Sequence, residues 1–335
     1  MNFSPRLSLG SRGQMSDQSG GYPQLVTMGE TMALLTQERP TPLRHTRTLE
    51  LSVGGSESNV AIGASRLGVA SAWIGRVGDD ELGRLVSREL RAEGVRTFAS
   101  EHPTRPTAIM LKAARTSRSV HVTYYRSNSA GSTLGPEDVD PGLLSNAKVF
   151  HTSAITPALS ETATVAVRES IEICRASGTL VSVDLNFRRA LWSESEACEE
   201  FRHLASKADI IFATEEEARI LCKAADHVSM ARELTSYGSD IAVVKRGALG
   251  AVAVIQGVEH IIDAVPVEVI DSVGAGDAFA AGFLSALISG HESHTALRWA
   301  ALMGAWSVST FGDWQGLPFL HELETLSSPG DVVRR

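Results

Sequence analysis

The feature that most constrains this chain is an alternation of short apolar runs with amphipathic stretches, regular from Val149 onward. Val149–Thr152, Leu180–Asp184, Ala208–Phe212 and Ile241–Lys245 read as strands, each too short and too apolar to be a surface helix. Glu161–Ala176, Glu215–Leu221 and Met230–Tyr237 place apolar residues at helical spacing between or after them. Gly250–Val267 reads as a hairpin, and Asp277–Ile288 and Ala296–Ser309 as two strongly apolar helices. Upstream, Leu25–Met28 and Ala72–Ile74 are further strands. Asn59–Leu67 is a helix stopped by Gly68, and Glu81–Glu93 another closed by Gly94. Strands alternating with helices predict an α/β fold, a doubly wound and mostly parallel sheet with helices on both faces. Two stretches break the alternation, Met32–Val53 and Thr107–Tyr125; they predict a small second β layer, a lid. The expected organisation is a flexible tail over residues 1–22, one domain with its lid over 23–325, and a short tail over 326–335. The first segment is rich in Ser and Gly and lacks the apolar core of a signal peptide; translation from Met15 would remove most of it.

Composition narrows the function classes. With 43% hydrophobic and 21% charged residues in 335, a packed core is expected. A net charge of −8 argues against a nucleic-acid partner, and no apolar run is long enough to span a membrane. Three cysteines, Cys174, Cys198 and Cys222, form no CxxC pair, which fits a reducing compartment such as the cytoplasm.

The strongest local signal is DSVGAGDAFAAGF, Asp271–Phe283. Gly274 and Gly276 permit a tight turn, and a helix starts directly after it. Its first N–H groups have no intrahelical partner and carry the positive end of the helix dipole, which makes an anion site. Asp277 stands at that helix start, where an ionised carboxylate could take a proton from an alcohol beside a phosphate cradle. Taken alone, the segment is equally an ordinary glycine turn capped by an aspartate. It is no Walker A loop, since no Gly-Lys-Ser/Thr follows, and no dinucleotide fingerprint, since GxGxxG fails at Phe279. A second glycine-rich segment, VGGSESNVAIGASRLG from Val53 to Gly68, is followed by GRVGDDELG from Gly75 to Gly83. Gly54-Gly55 allows close backbone approach to a ligand, and Asn59 offers both a donor and an acceptor at a helix start.

Together the two segments resemble the two signatures of the PfkB, ribokinase-like carbohydrate kinases, in the family's order and over about residues 23–320. The resemblance implies a ribokinase-like fold, ATP with Mg2+ as donor, a small hydroxylated acceptor and, in some members, a monovalent cation such as K+. It makes Asp277 the base and the backbone of Gly274, Ala275, Gly276 and Asp277 the anion hole. VKRGALGA, Val244–Ala251, resembles the nucleotide-side strand and turn, with Lys245, Gly247 and Gly250. The family's Asn-x-x-Glu motif near metal and phosphates is here Thr214-Glu215-Glu216-Glu217: Glu217 keeps the Glu, and Thr214 replaces Asn.

Within the family, the chain is most similar to 2-keto-3-deoxygluconate kinases. YYRSNSAGS (Tyr124–Ser132) resembles their lid segment, HTSAITPALS (His151–Ser160) their substrate floor, VDLNFRRALW (Val183–Trp192) their Asp-x-Asn-x-Arg stretch, and GDWQG (Gly312–Gly316) a late acceptor loop. The resemblance implies acceptor contacts from Gly55, Asn59, Tyr124, Arg126, Ile155, Arg188 and Asp313. A tyrosine often found on the other lid strand is Met110 here. From the residues themselves, Arg188 lies just past a strand end, where open α/β sheets bind ligands, and an arginine fork suits a carboxylate. The expected reaction is phosphorylation of 2-keto-3-deoxygluconate at its 6-hydroxyl. Rivals are a fructokinase-like neutral-sugar kinase, a kinase of another keto-deoxy acid, and a silent sugar-binding protein on the same fold. An apolar lid face with no helix to cover it further suggests a homodimer, or a higher homo-oligomer, formed through the lid.

Overall fold

Residues 21–37, 40–116 and 119–327 are described by a computed structural model. Of the expected tails over 1–22 and 326–335, residues 1–20 and 328–335 lie outside the described residues, and a helix, Leu320–Ser327, runs past the expected boundary at 325.

Thirteen strands build two sheets among the described residues. In chain order they are β1 (Leu25–Met28), β2 (Met32–Thr36), β3 (Glu50–Gly54), β4 (Ser71–Gly78), β5 (Arg96–His102), β6 (Ile109–Thr116) and β7 (Ser119–Tyr125). The rest are β8 (Val149–Ser153), β9 (Leu180–Asp184), β10 (Ile210–Thr214), β11 (Ile241–Lys245), β12 (Ala251–Ile255) and β13 (Val258–Ile262). The large sheet has the order β13-β12-β11-β10-β9-β8-β1-β4-β5. From β11 to β5 every neighbouring pair is parallel, and β12 and β13 add an antiparallel hairpin at one edge.

Alternate residues of each parallel strand feed two cores. Ile210 and Phe212 face one layer of helices, Ile211 and Ala213 the other, and all four are fully buried. This two-sided burial is why these strands read as unbroken apolar runs. The first layer holds α1 (Ser56–Arg66), α2 (Glu81–Ala92) and two long helices, Ala275–Ile288 and Ser293–Val308. On the opposite face lie α3 (Pro141–Ser145), α4 (Glu161–Ser177), α5 (Glu194–Lys207), α6 (Glu215–Leu221) and α7 (His227–Thr235). The two long helices are α8 and α9, and Leu320–Ser327 is α10. α1 packs closely on α8 because Gly63 has no side chain; a Cβ there would stand 2.7 Å from Ala281 Cβ.

Four of these elements were not expected: the short helices α3 and α10, the strand β5 and the helix α5. β5 is an edge strand whose residues are all at least partly exposed, so RTFASEH carries no apolar alternation. α5 buries Ala197, Phe201 and Leu204 on one narrow stripe, diluted by surrounding glutamates. The helix expected from Asn59 begins at Ser56, which places Asn59 inside its first turn; α6 starts at Glu215 as expected, and β10 runs on to Thr214, directly against it.

The small sheet has the order β3-β2-β6-β7 and joins the two irregular stretches as one layer. Met32, Leu34, Ala108 and Met110 form its own apolar cluster. The expectation that no helix covers it needs correction, because α2 packs on β2 and β3.

Candidate active site

The strand order reverses at β1: the chain first runs outward through β4 and β5, then returns to β8 on the other side. Crevices at such a switch point, beyond the carboxyl ends of the strands, are where open α/β sheets bind ligands. A cavity of about 420 Å³ opens there, between the large sheet and the lid. Five parallel strands deliver their C-terminal ends to it: β1 through Glu30, β8 through Ile155, β9 through Asp184, β10 through Thr214 and β11 through Lys245.

Most of the expected residues meet in this cavity. Gly55, Asn59, Gly274, Gly276 and Asp277 line it, as do Tyr124, Arg126, Ile155, Arg188 and Asp313. Lys245, Thr214 and Glu217 line the remainder. Gly247 and Gly250 do not; they shape the turn between β11 and β12, with φ of +56° and +82°. Ala275 contributes the first residue of α8 without lining the wall. His151 lies beneath the floor, where burial holds its imidazole down at about 3, and Ser160 caps α4.

Asp277 is held from two sides. Ser56 Oγ donates to its Oδ1 at 2.7 Å and Asn59 Nδ2 to its Oδ2 at 2.8 Å. Asn186 Nδ2 in turn donates to Ser56 Oγ at 3.0 Å, so α1 and the loop after β9 together fix one carboxylate. Burial pushes the Asp277 carboxyl up to about 7, against the pull of its Asn59 and Ser56 hydrogen bonds. A base balanced near neutrality is suited to take a proton and release it.

Beside Asp277, α8 begins at Gly274 with no side-chain cap, which leaves its first backbone N–H groups open to the cavity side. Gly274 must be glycine: its φ is +83°, and a Cβ would meet the Asp313 carbonyl oxygen at 2.1 Å. Lys245 reaches in from β11, 2.5 Å from Asp184 Oδ2. Burial pulls its ammonium down, yet Asp184, Glu217 and Asp277 outweigh this and leave its pKa above that of an ordinary lysine.

Several side chains are more committed than the sequence implied. Thr214 and Glu217 form a capping box at the start of α6: Glu217 Oε2 accepts the Thr214 N–H at 2.7 Å, and Thr214 Oγ1 the Glu217 N–H at 3.3 Å. Glu217 Oε1 accepts the Phe187 N–H at 3.1 Å, so each oxygen already holds one donor. Arg126 forks onto Glu30 through Nε at 2.8 Å and Nη2 at 2.6 Å, and lies over the Tyr124 ring. Ser129 Oγ bonds the same carboxylate, and Gly131 leaves the room it needs. Arg188 forms no ion pair among the described residues; it is the neighbouring Arg189 that takes Glu194. Asp313 is paired with Lys112 at 3.0 Å, while burial still raises its pKa.

Glu30, Ser56, Glu57, Asp184 and Asn186 line the cavity as well and were not singled out from the sequence, and Lys112 stands behind the wall against Asp313. Glu57 is a buried carboxyl with no ion pair among the described residues; burial raises its pKa, and Ser153 and Thr156 hydrogen-bond its Oε1. Asp184 and Asn186 stand inside the quoted VDLNFRRALW stretch, and Glu57 inside GGSESN. Glu30 and Lys112 carried no local signal.

Comparison with known proteins agrees with this geometry. The chain is 36% identical to the 2-dehydro-3-deoxygalactonokinase of Haloferax volcanii, over 87% of this chain and 92% of that one. It is 35% identical to the 2-dehydro-3-deoxygluconokinase of Thermoproteus tenax, over 90% and 93%. The solved PfkB protein from Polaromonas sp. JS666 is 34% identical, with a TM-score of 0.82 over 90% of this chain and 99% of its own. Residues 23–319 match the pfkB family of carbohydrate kinases. The ribokinase-like architecture, the aspartate at the uncapped helix start and these relatives lead to one conclusion: the chain belongs to the pfkB family, and is a carbohydrate kinase that transfers a phosphoryl group to an alcohol.

Proposed function

We propose that this kinase transfers the γ-phosphoryl group of ATP to the 6-hydroxyl of 2-keto-3-deoxygluconate or a closely related keto-deoxy sugar acid. The observation that carries the acid reading is the charge balance of the cavity. Lys245 is balanced by Asp184 and Arg126 by Glu30, while Lys112, behind the wall, is balanced by Asp271 and Asp313. Among the described residues lining the cavity, Arg188 is the cation without an acidic partner. A guanidinium in that position favours a carboxylate, which it can hold with two parallel hydrogen bonds. With the acid end held there, the far hydroxyl of a six-carbon chain extends toward Asp277.

In the reaction, the acceptor oxygen forms a bond to γ-phosphorus as the bond to the ADP oxygen breaks, and the hydroxyl proton passes to Asp277. The open N–H groups of Ala275, Gly276 and Asp277 stabilise charge on the moving phosphoryl, with Lys245 close by. Asn59 Oδ1, buried and without a partner, is free to accept from a substrate hydroxyl. The residues also fit Mg2+. Asp184 Oδ1 is buried without a partner, and Glu217 keeps one lone pair on each oxygen. Mg2+ takes one or two carboxylates together with phosphate oxygens, and when bound it would neutralise phosphate charge. The lid excludes water that would otherwise receive the phosphoryl group. K+ dependence, a homodimer through the lid and a place in the reducing cytoplasm complete the reading; three free cysteines agree with the last.

The test is an ADP-release assay over 2-keto-3-deoxygluconate, its galacto epimer, gluconate, fructose and ribose, with and without KCl. The highest kcat/KM is expected on a keto-deoxy acid. A preference for fructose would reduce the reading to a neutral-sugar kinase.

A further inference from the structure

Lys112 lies on β6 in the lid, yet its side chain is only 2% exposed. Its ammonium reaches out of the lid into the large domain and pairs with two buried carboxylates, Asp271 and Asp313, the latter at 3.0 Å. Both belong to segments that shape the phosphate cradle. Asp271 Oδ1 accepts the Val273 N–H at 3.1 Å, bending the turn that leads into Gly274. The Asp313 carbonyl packs against Gly274 itself, where a Cβ would be 2.1 Å from it. On its other side, Asp313 Oδ2 fills the space beside Gly54, at the end of lid strand β3. A single cation thus joins a lid strand, the turn before α8 and the loop after α9.

We propose that Lys112 is a positioning residue: by bridging Asp271 and Asp313 it ties the seating of the lid to the placement of the α8 amide groups. Without the ammonium, two buried carboxylates face each other unbalanced and repel, and the turn they shape loses its brace. With it, the cradle holds its geometry only when β6 lies in place over the acceptor. Phosphoryl transfer is then favoured with the lid seated, which limits transfer to water. The proposal rests on the reading that the α8 amides cradle the phosphoryl group, and holds for any acceptor.

The experiment compares Lys112→Met, Lys112→Arg and the double variant Lys112→Met/Asp271→Asn, using whichever sugar the wild type phosphorylates best. Displacement of reacting groups by an ångström costs roughly a hundredfold in rate. Lys112→Met should therefore lower kcat by roughly thirtyfold or more, with acceptor KM changed less than about threefold. Lys112→Arg keeps the cation and should recover to within about tenfold of wild type. The double variant keeps the cluster's net charge but not the bridge, so its melting temperature should return toward wild type while kcat stays low. A double variant that regained kcat would overturn the proposal, since charge balance alone would then suffice. Asp277→Asn, measured alongside, separates the two readings. If Asp277→Asn is inactive while a folded Lys112→Met is fully active, only the bridge is refuted; if Asp277→Asn is active, the reading of the site itself fails.

Discussion

Asp277→Asn should damage catalysis and stabilise the protein, and the second effect has a definite pH dependence. The folded state raises this carboxyl from 3.8 to about 7, burial being the main cause. At ~1.4 kcal/mol per tenfold change in proton affinity, ionised Asp277 costs the fold roughly 4 kcal/mol above neutrality. The sign follows from proton counts: between these two values the folded state holds the proton and the unfolded chain does not, so stability falls as pH rises and levels off above about 7. Asparagine has no such titration. It keeps an oxygen for the Asn59 amide and gains an NH2 for Ser56, so both hydrogen bonds survive. The variant's advantage over wild type should therefore grow by roughly 2–3 kcal/mol from pH 5 to pH 8, or about 3–4 °C in Tm at this chain length. Its kcat should fall by roughly a hundredfold to ten-thousandfold, because no base remains. Differential scanning calorimetry at the two pH values, paired with steady-state kinetics, measures both. A Tm difference that stays flat across pH would refute the burial reasoning, and a folded variant with near wild-type kcat would refute the assignment of the base.

Arg188→Ala should lower kcat/KM on 2-keto-3-deoxygluconate by roughly ten- to a hundredfold and affect fructose far less; Arg126→Ala should harm both, because it also leaves Glu30 buried and unpaired. Equal losses on both sugars in both variants would move the carboxylate contact elsewhere. Gly274→Ala should cost roughly 1–3 kcal/mol in backbone strain alone, plus its clash with Asp313, and remove most activity; an unchanged Tm and kcat would contradict the turn geometry. Light scattering at micromolar concentration should report a dimer, and a monomer there would end the lid-pairing proposal.

What the sequence disclosed follows from how local each signal is. The parallel strands are buried on both faces, so their apolar runs stand out, and the glycines at 274 and 276 announce a turn whatever surrounds it. The charges were harder to read. The resemblance assigns Arg126 to the substrate, and it lines the cavity, but its guanidinium is already held by Glu30, ninety-six positions away in the chain. Lys112 and Asp313 are separated by 201 positions, and no pattern around either suggests the other. The resemblance to Asn-x-x-Glu assigns Glu217 to the metal; the Thr-x-x-Glu spacing is also a capping box, so Glu217 Oε2 serves the helix start while Oε1 accepts the Phe187 N–H. The same motif at Ser193-x-x-Glu196 marks the start of α5, the helix that went unrecognised because its apolar stripe is thin. Pairwise electrostatics over long sequence separation was the missing information.

The close seating of α1 on α8, made possible by Gly63, has a further consequence. Asp277 and the two side chains that orient it sit on two helices fused in the core, whereas Tyr124, Arg126 and Met110 sit on or next to lid strands. On the proposed reading, the chemical step and the lid's share of acceptor recognition are therefore built on separable parts, with Arg188 after β9 staying on the large domain. A chassis of this kind can be retargeted by exchanging lid residues, leaving the proton-transfer geometry untouched, provided that the new lid keeps a cation at position 112.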